Sequence, residues 1–277
     1  MAEYDIAVIG GDKRTACMIP FFKEMGYRVI GYKLCHMKEE DAAPDKIADS
    51  LKQAVELADV IVGGIPIEKK GIVNIKELSR HLRKRHRVFG GVISETFRQE
   101  CDERGILCYD FMKDESIAVF NAVATAEGAI LEALSHKDTN IHGSKSLVLG
   151  YGRCGKVLAQ KLKGLSAEVT VCTNNTLEMV MAETMGMEPL LLNRLEERIG
   201  EFEYIYNTIP AMVLQEELLQ ELRKDVLVID IASGRGGVDE KAAQALQIRT
   251  LHCLGLPGKY AGRISAKRLT EYVADKL

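Results

Sequence analysis

Short apolar runs alternate with helix-length amphipathic stretches along the chain. In the first half the runs lie at 6–10, 28–32, 59–63, 88–92 and 106–110, each containing or bordering a glycine. Short apolar runs that glycines flank and helices separate are typical of strands buried in a parallel sheet. With right-handed crossovers, this pattern predicts a doubly wound α/β layer structure.

The rhythm changes between Ser116 and Ser135, where apolar side chains recur at helical spacing with few helix breakers. This segment predicts one long helix. A second series of short apolar runs follows it, at 146–149, 168–172, 204–207, 226–230 and 249–253. The final stretch, from Ser265 to Lys276, predicts a last helix.

The interruption of the strand series predicts two α/β domains joined by the long helix. We expect an N-terminal flavodoxin-like domain over residues 1–120, on which the C-terminal helix of 263–277 packs. The connecting helix and a second α/β domain then occupy residues 121–262. A single continuous sheet through both halves would contradict this division.

Composition narrows the classes of function. The 277 residues are 47% hydrophobic and 28% charged, which is typical of a globular protein. A net charge of −3 argues against a nucleic-acid binder. Because no uninterrupted apolar run reaches about 18 residues, we expect no membrane span, and we expect no secretion signal. The seven cysteines are scattered without a C-x-x-C pair, so we expect reduced thiols in a cytoplasmic protein and no metal site.

A glycine-rich turn gives the sharpest chemical signal. The sequence Gly150-Tyr-Gly-Arg-Cys-Gly155 follows a predicted strand and opens a predicted helix, as the dinucleotide fingerprint requires. In that motif the first glycine permits the turn, the second admits the pyrophosphate, and the third lets helix and strand pack closely. We expect the pyrophosphate to contact Gly150, Gly152, Arg153, Cys154 and Gly155. The motif therefore predicts that the domain in residues 121–262 is a Rossmann dinucleotide-binding domain. A tight turn without a ligand is the alternative.

The end of the second strand of this domain distinguishes the two pyridine nucleotides. NAD sites usually place a carboxylate there, to accept hydrogen bonds from the ribose hydroxyl. Residues 172–176 contain none, and amides and hydroxyls can donate to a 2′-phosphate. The sequence therefore favours NADP, with NAD as the alternative. The residues expected near the phosphate are Thr173, Asn174, Asn175 and Thr176.

Three other segments follow strands, at the edge where ligands bind in open α/β sheets. The first is expected to flank the nicotinamide and comprises Asn207, Thr208, Ile209 and Pro210. The second is the glycine-rich turn 230–237, with Arg235 as its cation. In the first half, Arg14 follows the turn after the first strand. Guanidinium groups bind carboxylates well. The alternative for each segment is that its residues only form a turn and bind no ligand.

The order and spacing of these motifs resemble the A-subunit family of dipicolinate synthase over nearly the whole chain. The resemblance implies a two-domain fold like that of D-2-hydroxyacid dehydrogenases. It also implies a partner, the B-subunit of dipicolinate synthase, which resembles flavoproteins. The pair oxidises a dihydrodipicolinate-type precursor to dipicolinate in endospore-forming bacteria. Relatives often carry arginine where this chain has Asn174. The segments that carry the resemblance are 6–12 with Arg14, 118–121, 125–128, 141–144, 149–153, 207–210, 230–233, 236–237 and 255–258.

Two other functions stay open from the residues. A true D-2-hydroxyacid dehydrogenase would use an arginine, a glutamate and a histidine. Arg235 could supply the first, but Ile264 stands near the position of the glutamate, and the histidine would fall beyond the C-terminus. A nucleotide-binding scaffold protein without chemistry of its own would keep the phosphate loop and need no acid–base group.

We expect this chain to be the pyridine-nucleotide subunit of a dehydrogenase that depends on its partner. A dicarboxylate substrate is expected between the two domains, with Arg14 and Arg235 as anion clamps. Asn121 and Ser233 are the candidates that could assist proton transfer by positioning water. We also expect the chain to form a homo-oligomer.

Overall fold

The computed structural model describes residues 2–35 and 43–277. By its internal contacts the chain divides into two compact units. Unit 1 comprises Met1–Phe120 and Gly258–Leu277, and unit 2 comprises Asn121–Pro257.

Unit 1 contains a parallel sheet in the order β3-β2-β1-β4-β5-β6. Its strands are β1 Tyr4–Ile9, β2 Val29–Tyr32, β3 Lys46–Ile47, β4 Ala58–Gly63, β5 Arg87–Gly90 and β6 Leu107–Asp110. The five longer strands follow the flavodoxin order, with β3 added at one edge. The apolar pattern located these five strands, but β3 is too short to have a pattern.

Unit 2 contains a second parallel sheet, in the order β12-β11-β10-β7-β8-β9. Its strands are β7 Lys145–Leu149, β8 Glu168–Thr173, β9 Glu188–Leu191, β10 Tyr204–Asn207, β11 Leu227–Asp230 and β12 Arg249–His252. This is the dinucleotide-binding strand order, in which the chain adds strands outward on one side of β7 and then outward on the other side, starting with β10. The sequence prediction omitted β9, whose Glu-Pro start weakens its strand pattern.

Eleven α-helices accompany these strands within the described ranges. They are α1 Lys13–Glu24, α2 Leu51–Glu56, α3 Ile75–His81, α4 Glu95–Glu103, α5 Glu115–His136, α6 Arg153–Gly164, α7 Thr176–Thr184, α8 Glu216–Gln220, α9 Glu240–Ala245, α10 Leu256–Tyr260 and α11 Gly262–Ala274. Helices α1, α2, α3 and α4 each begin after an Asp, Ser or Asn whose side chain accepts a backbone N–H of the first turn.

The long helix α5 links the two units, as predicted. Ile117 is buried in the core of unit 1, while Ala126, Ala129 and Ala133 are fully buried in the core of unit 2. By length and composition α5 could cross a membrane, but half of its most apolar window is buried inside the protein. Its small alanine side chains therefore allow the helix to pack closely against the core of unit 2.

The core of unit 1 follows the two-residue period of its strands. On β1, Ile6 and Val8 face one cluster, while Ala7 and Ile9 face the other. The first cluster also contains Phe22 of α1 and Leu269 of α11. The C-terminal helix thus belongs to unit 1 because its apolar stripe covers the same face of the sheet as α1.

His86 couples the stability of unit 1 to pH. Its Nδ1 accepts the Arg83 N–H at 2.7 Å, so its Nε2 carries the proton and donates to the Val55 carbonyl oxygen at 3.0 Å. Burial, reinforced by the charge of Arg85, lowers the pKa of His86 below its usual value. Protonation at Nδ1 would also break the bond from Arg83.

We expect this coupling to be visible in unfolding experiments. Because the folded pKa lies below the unfolded value, the stabilisation by His86 is present above about pH 6.5 and is lost as the pH falls through the folded pKa. Urea unfolding at pH 7.5 and 5.5 should show a smaller pH-dependent loss for His86→Gln than for wild type. His81→Gln, at the end of α3, is the control. An unchanged pH dependence in His86→Gln would contradict the assignment.

Candidate dinucleotide-binding site

The glycine turn lies where unit 2 passes from β7 into α6. Gly150 has a φ of +86°, which favours glycine, and Gly152 is the N-cap of α6. A Cβ at Gly155 would collide with the Gly150 carbonyl oxygen. The first N–H groups of α6 have no intrahelical acceptors, and the helix dipole adds positive potential there. The turn thus has the geometry of a pyrophosphate site.

The other residues of the turn have different surroundings. Tyr151 is 4% exposed and packs in the core, with its hydroxyl 3.9 Å from the Met187 sulfur. Burial raises the pKa of the Cys154 thiol, against the smaller opposing effects of Arg153 and of a Thr125 hydrogen bond. Cys154 is therefore not an activated thiolate. Arg153 is exposed beside it.

A carboxylate that sequence reasoning missed contacts the end of β8. Glu178, in the first turn of α7, accepts a hydrogen bond from the Thr173 hydroxyl on its Oε2, with 2.6 Å between the two oxygens. Thr173 Oγ1 in turn accepts the Asn175 N–H at 3.2 Å. Asn175 Oδ1 caps α7 by accepting the N–H groups of Leu177 and Glu178, at 2.9 and 3.2 Å. The Asn-x-x-Glu spacing of a capping box was the signal in the sequence.

This capping network divides the four residues expected near a 2′-phosphate. The Thr173 hydroxyl hydrogen and the side-chain oxygen Oδ1 of Asn175 are already engaged within the turn. Asn174 and Thr176 lie exposed on it. The exposed side-chain donors beyond the end of β8 are therefore the Asn174 amide, the Thr176 hydroxyl and the Nδ2 group of Asn175.

The segment after β10 is tied to the glycine turn. The Thr208 hydroxyl donates to the Leu149 carbonyl oxygen at 2.8 Å, and its backbone N–H donates to the same oxygen at 3.0 Å. A Cβ at Gly150 would meet the Thr208 hydroxyl at 2.7 Å. Ile209 is half-buried and Pro210 exposed. The predicted nicotinamide segment and the predicted pyrophosphate turn thus lie against each other at the topological switch point.

The last residues of three neighbouring strands form a polar row. Asn207, Asp230 and His252 end β10, β11 and β12, and they are paired in register. Asn207 and Asp230 are buried. His252 is exposed, with its Nε2 3.4 Å from the Ala232 carbonyl oxygen. Sequence reasoning placed no histidine near the site, because only the register of β12 brings His252 to this edge.

The remaining predicted residues occupy contrasting environments. In unit 2, Ser233 and Arg235 lie exposed on the loop after β11, and Asn121 is half-buried on α5. In unit 1, Arg14 is 4% exposed. Its guanidinium donates to both carboxylate oxygens of Asp12, with the shortest contact at 2.7 Å, and to the Ile65 carbonyl oxygen at 3.2 Å. Arg14 is thus already ion-paired within its own loop.

The described residues contain no group of three or more His, Cys, Asp or Glu side chains arranged to hold a metal ion. The exposed polar groups at the carboxyl edge of the second sheet include amides, hydroxyls and guanidinium groups, beside the backbone N–H groups that open α6. Such groups bind phosphates and carboxylates.

Comparison with protein families assigns a different family to each half of the chain. Residues 5–112 match the N-terminal domain of the dipicolinate synthase A-subunit. Residues 121–256 match the NAD binding domain of D-isomer specific 2-hydroxyacid dehydrogenases. The second match covers the whole carboxyl-edge site of unit 2 and supports a pyridine nucleotide as its ligand.

Relatives similar over their whole length agree with this division. The dipicolinate synthase A-subunit of Bacillus subtilis is 30% identical over 98% of this chain and 96% of the relative. The crystal structure of the Bacillus halodurans A-subunit matches with a TM-score of 0.85 at 25% identity, covering 99% of this chain and 98% of that one. The B. subtilis structure gives 0.82 at 25% identity, covering 99% and 97%. The chain belongs to the A-subunit family of dipicolinate synthase.

Proposed function

We propose that this chain is the pyridine-nucleotide subunit of a dipicolinate synthase, which oxidises a dihydrodipicolinate-type precursor to dipicolinate. The observation that carries the proposal is the Gly150–Gly155 turn, which opens α6 at the switch point of a sheet with dinucleotide-binding strand order. Membership of the A-subunit family supplies the substrate class. A D-2-hydroxyacid dehydrogenase remains less favoured, since Ile264 lies near the position of its glutamate.

The residues of unit 2 suit a reaction that needs alignment more than strong acid–base catalysis. A bound oxidised nucleotide would supply the acceptor for the hydride that the dihydropyridine ring loses on becoming aromatic. The glycine turn would hold the pyrophosphate, and Thr208 fixes the adjoining segment against this turn. The ring also loses one proton, which passes to water. We propose Asn121 and Ser233 as groups that position this water.

We propose NADP as the preferred nucleotide. Support comes from the exposed Asn174 and Thr176, which can donate to a 2′-phosphate, and from the absence of a carboxylate in the sequence 172–176. Glu178 keeps its negative charge while its Oε2 accepts the Thr173 hydrogen bond, so this carboxylate is the feature of the turn that favours the alternative nucleotide, NAD. Calorimetry with both nucleotides tests the preference, and tighter binding of NAD would contradict it.

Asn174→Asp is expected to reverse the nucleotide preference. The new carboxylate would repel a 2′-phosphate and could accept hydrogen bonds from an unmodified ribose, so NADP affinity should fall by about 10- to 100-fold. NAD affinity should stay equal or rise. The matched control is Asn193→Asp, the same substitution at another exposed position of unit 2. If calorimetry shows equal losses in both variants, Asn174 does not contact the phosphate end.

For the dicarboxylate we propose Arg235 as the principal clamp and Arg14 as the second. Arg235 is exposed on a loop at the carboxyl edge, where a guanidinium can bind a carboxylate in a bidentate manner. Arg14 is buried and its guanidinium is already paired with the Asp12 carboxylate, so we rank it second to Arg235. Replacing both by alanine should raise the substrate KM of the assembled enzyme, and an unchanged KM would exclude both.

We also propose that turnover depends on the B-subunit and that the chain forms a homo-oligomer. The name of the family implies a second subunit. The test combines chain, precursor and NADP, then adds the B-subunit while dipicolinate absorbance is followed. The same rate without the B-subunit would contradict the dependence. Nucleotide binding without turnover under both conditions would favour the scaffold function instead. Sedimentation of the chain alone tests the homo-oligomer.

A further inference from the structure

The carboxylate of Asp230 lies at the centre of the polar row in unit 2. Asp230 is 1% exposed. Its Oδ1 accepts from Asn207 Nδ2 at 2.9 Å and from the Ala232 N–H at 3.0 Å, and its Oδ2 accepts from the Gly237 N–H at 2.7 Å. These donors belong to the end of β10 and to both ends of the loop 231–237.

The loop 231–237 is wrapped around this carboxylate. Gly236 has a φ of +76°, and a Cβ there would collide with Asp230 Oδ2. A Cβ at Gly237 would come within 2.5 Å of Asn207 Nδ2. Ala232 and Gly237 are both buried, while the tip of the loop with Arg235 is exposed. The base of the loop is therefore fixed at two points, and its tip carries the cation.

We propose that Asp230 is a positioning residue, which holds the loop 231–237 so that Arg235 meets the carboxylate of the substrate. This inference rests on the proposed function. A long arginine side chain binds an anion well only when its backbone is fixed, because each additional loop conformation dilutes the productive one. Buried hydrogen bonds from both ends of a short loop to one carboxylate supply that constraint.

The isosteric variant Asp230→Asn keeps the size of the side chain and changes only its charge and its hydrogen-bonding groups. Its amide oxygen can still accept from Asn207 and Ala232. Its amide nitrogen would face the Gly237 N–H, so that two donors meet and the far end of the loop is released. The matched control is Asp239→Asn, just after the same loop. Asp239 caps α9 by accepting the Lys241 and Ala242 N–H groups, and asparagine can do the same.

Two measurements on the enzyme assembled with the B-subunit test the proposal. Hydrogen exchange should become faster across 231–238 in Asp230→Asn and not in Asp239→Asn. The KM for the dihydropyridine dicarboxylate should rise about 10- to 100-fold in Asp230→Asn, while the dissociation constant of NADP changes less than about threefold. A variant that is merely destabilised would lose active enzyme and kcat without this selective rise in KM.

A double-mutant cycle decides whether Asp230 acts through Arg235. If it does, the KM of Asp230→Asn with Arg235→Gln will equal that of Arg235→Gln alone. Effects that multiply, or a KM of Asp230→Asn equal to that of wild type, would overturn the inference. Wild-type enzyme without turnover would contradict the proposed function instead. The two failures are therefore distinguished by the wild-type rate.

Discussion

Gly152→Ala is expected to leave the unligated chain folded and yet to weaken nucleotide binding about 100-fold. Gly152 has an ordinary φ of −73°, and nothing lies within 4 Å of a Cβ built on it. The loss of stability should therefore be about 1 kcal/mol or less, the difference between glycine and alanine as N-caps. A pyrophosphate bound at this turn would occupy the space of the new methyl group. Calorimetry with NADP and urea unfolding measure both effects.

Two other glycines of the same segment serve as comparisons. Gly155→Ala should lose both nucleotide binding and stability, because its Cβ would collide with the Gly150 carbonyl oxygen, a backbone atom that cannot move alone. Gly164→Ala, at the far end of α6 and in open space, should keep both. If Gly152→Ala binds NADP as tightly as Gly164→Ala does, the turn is not the pyrophosphate site.

Arg235→Gln should lower kcat/KM for the dicarboxylate about 100-fold. Loss of a bidentate pair between guanidinium and carboxylate in a partly desolvated site costs about 2–5 kcal/mol, and the lower part of this range corresponds to that factor. NADP affinity should be unaffected. Steady-state kinetics of the enzyme assembled with the B-subunit measures the effect. Arg249→Gln, an exposed arginine at the opposite end of β12, is the control. Equal kinetics of the two variants would remove Arg235 from the substrate site.

Much of the fold could be predicted from local pattern, because buried parallel strands are continuous apolar runs. Strands β1, β7 and β10 follow from such runs, and α5 follows from an apolar spacing of three to four residues. The short edge strands β3 and β9 could not be predicted in this way. They pair only because a longer neighbour offers them a hydrogen-bonding edge.

In the candidate site, too, features that are local in the sequence could be predicted, and features that depend on tertiary contacts could not. The glycine turn is contiguous in sequence, so its spacing alone predicts its geometry. The contacts of Asp230 could not be predicted, because Asn207 lies 23 residues away and only the register of β10 and β11 brings the two together. Arg14 and its ion-pair partner Asp12 are only two residues apart, yet sequence reasoning treated Arg14 as an open cation. Whether a side chain is buried depends on the packing around it.

The stoichiometry of hydride transfer tests the central claim most directly. The chain is mixed with the B-subunit, a dihydrodipicolinate-type precursor and NADP, and the reduced nucleotide and dipicolinate are measured together in time. The account predicts that the two products appear in equal amounts and at the same rate, above the uncatalysed background. Dipicolinate that forms without an equal amount of reduced nucleotide, or no excess over background with either NADP or NAD, would contradict it.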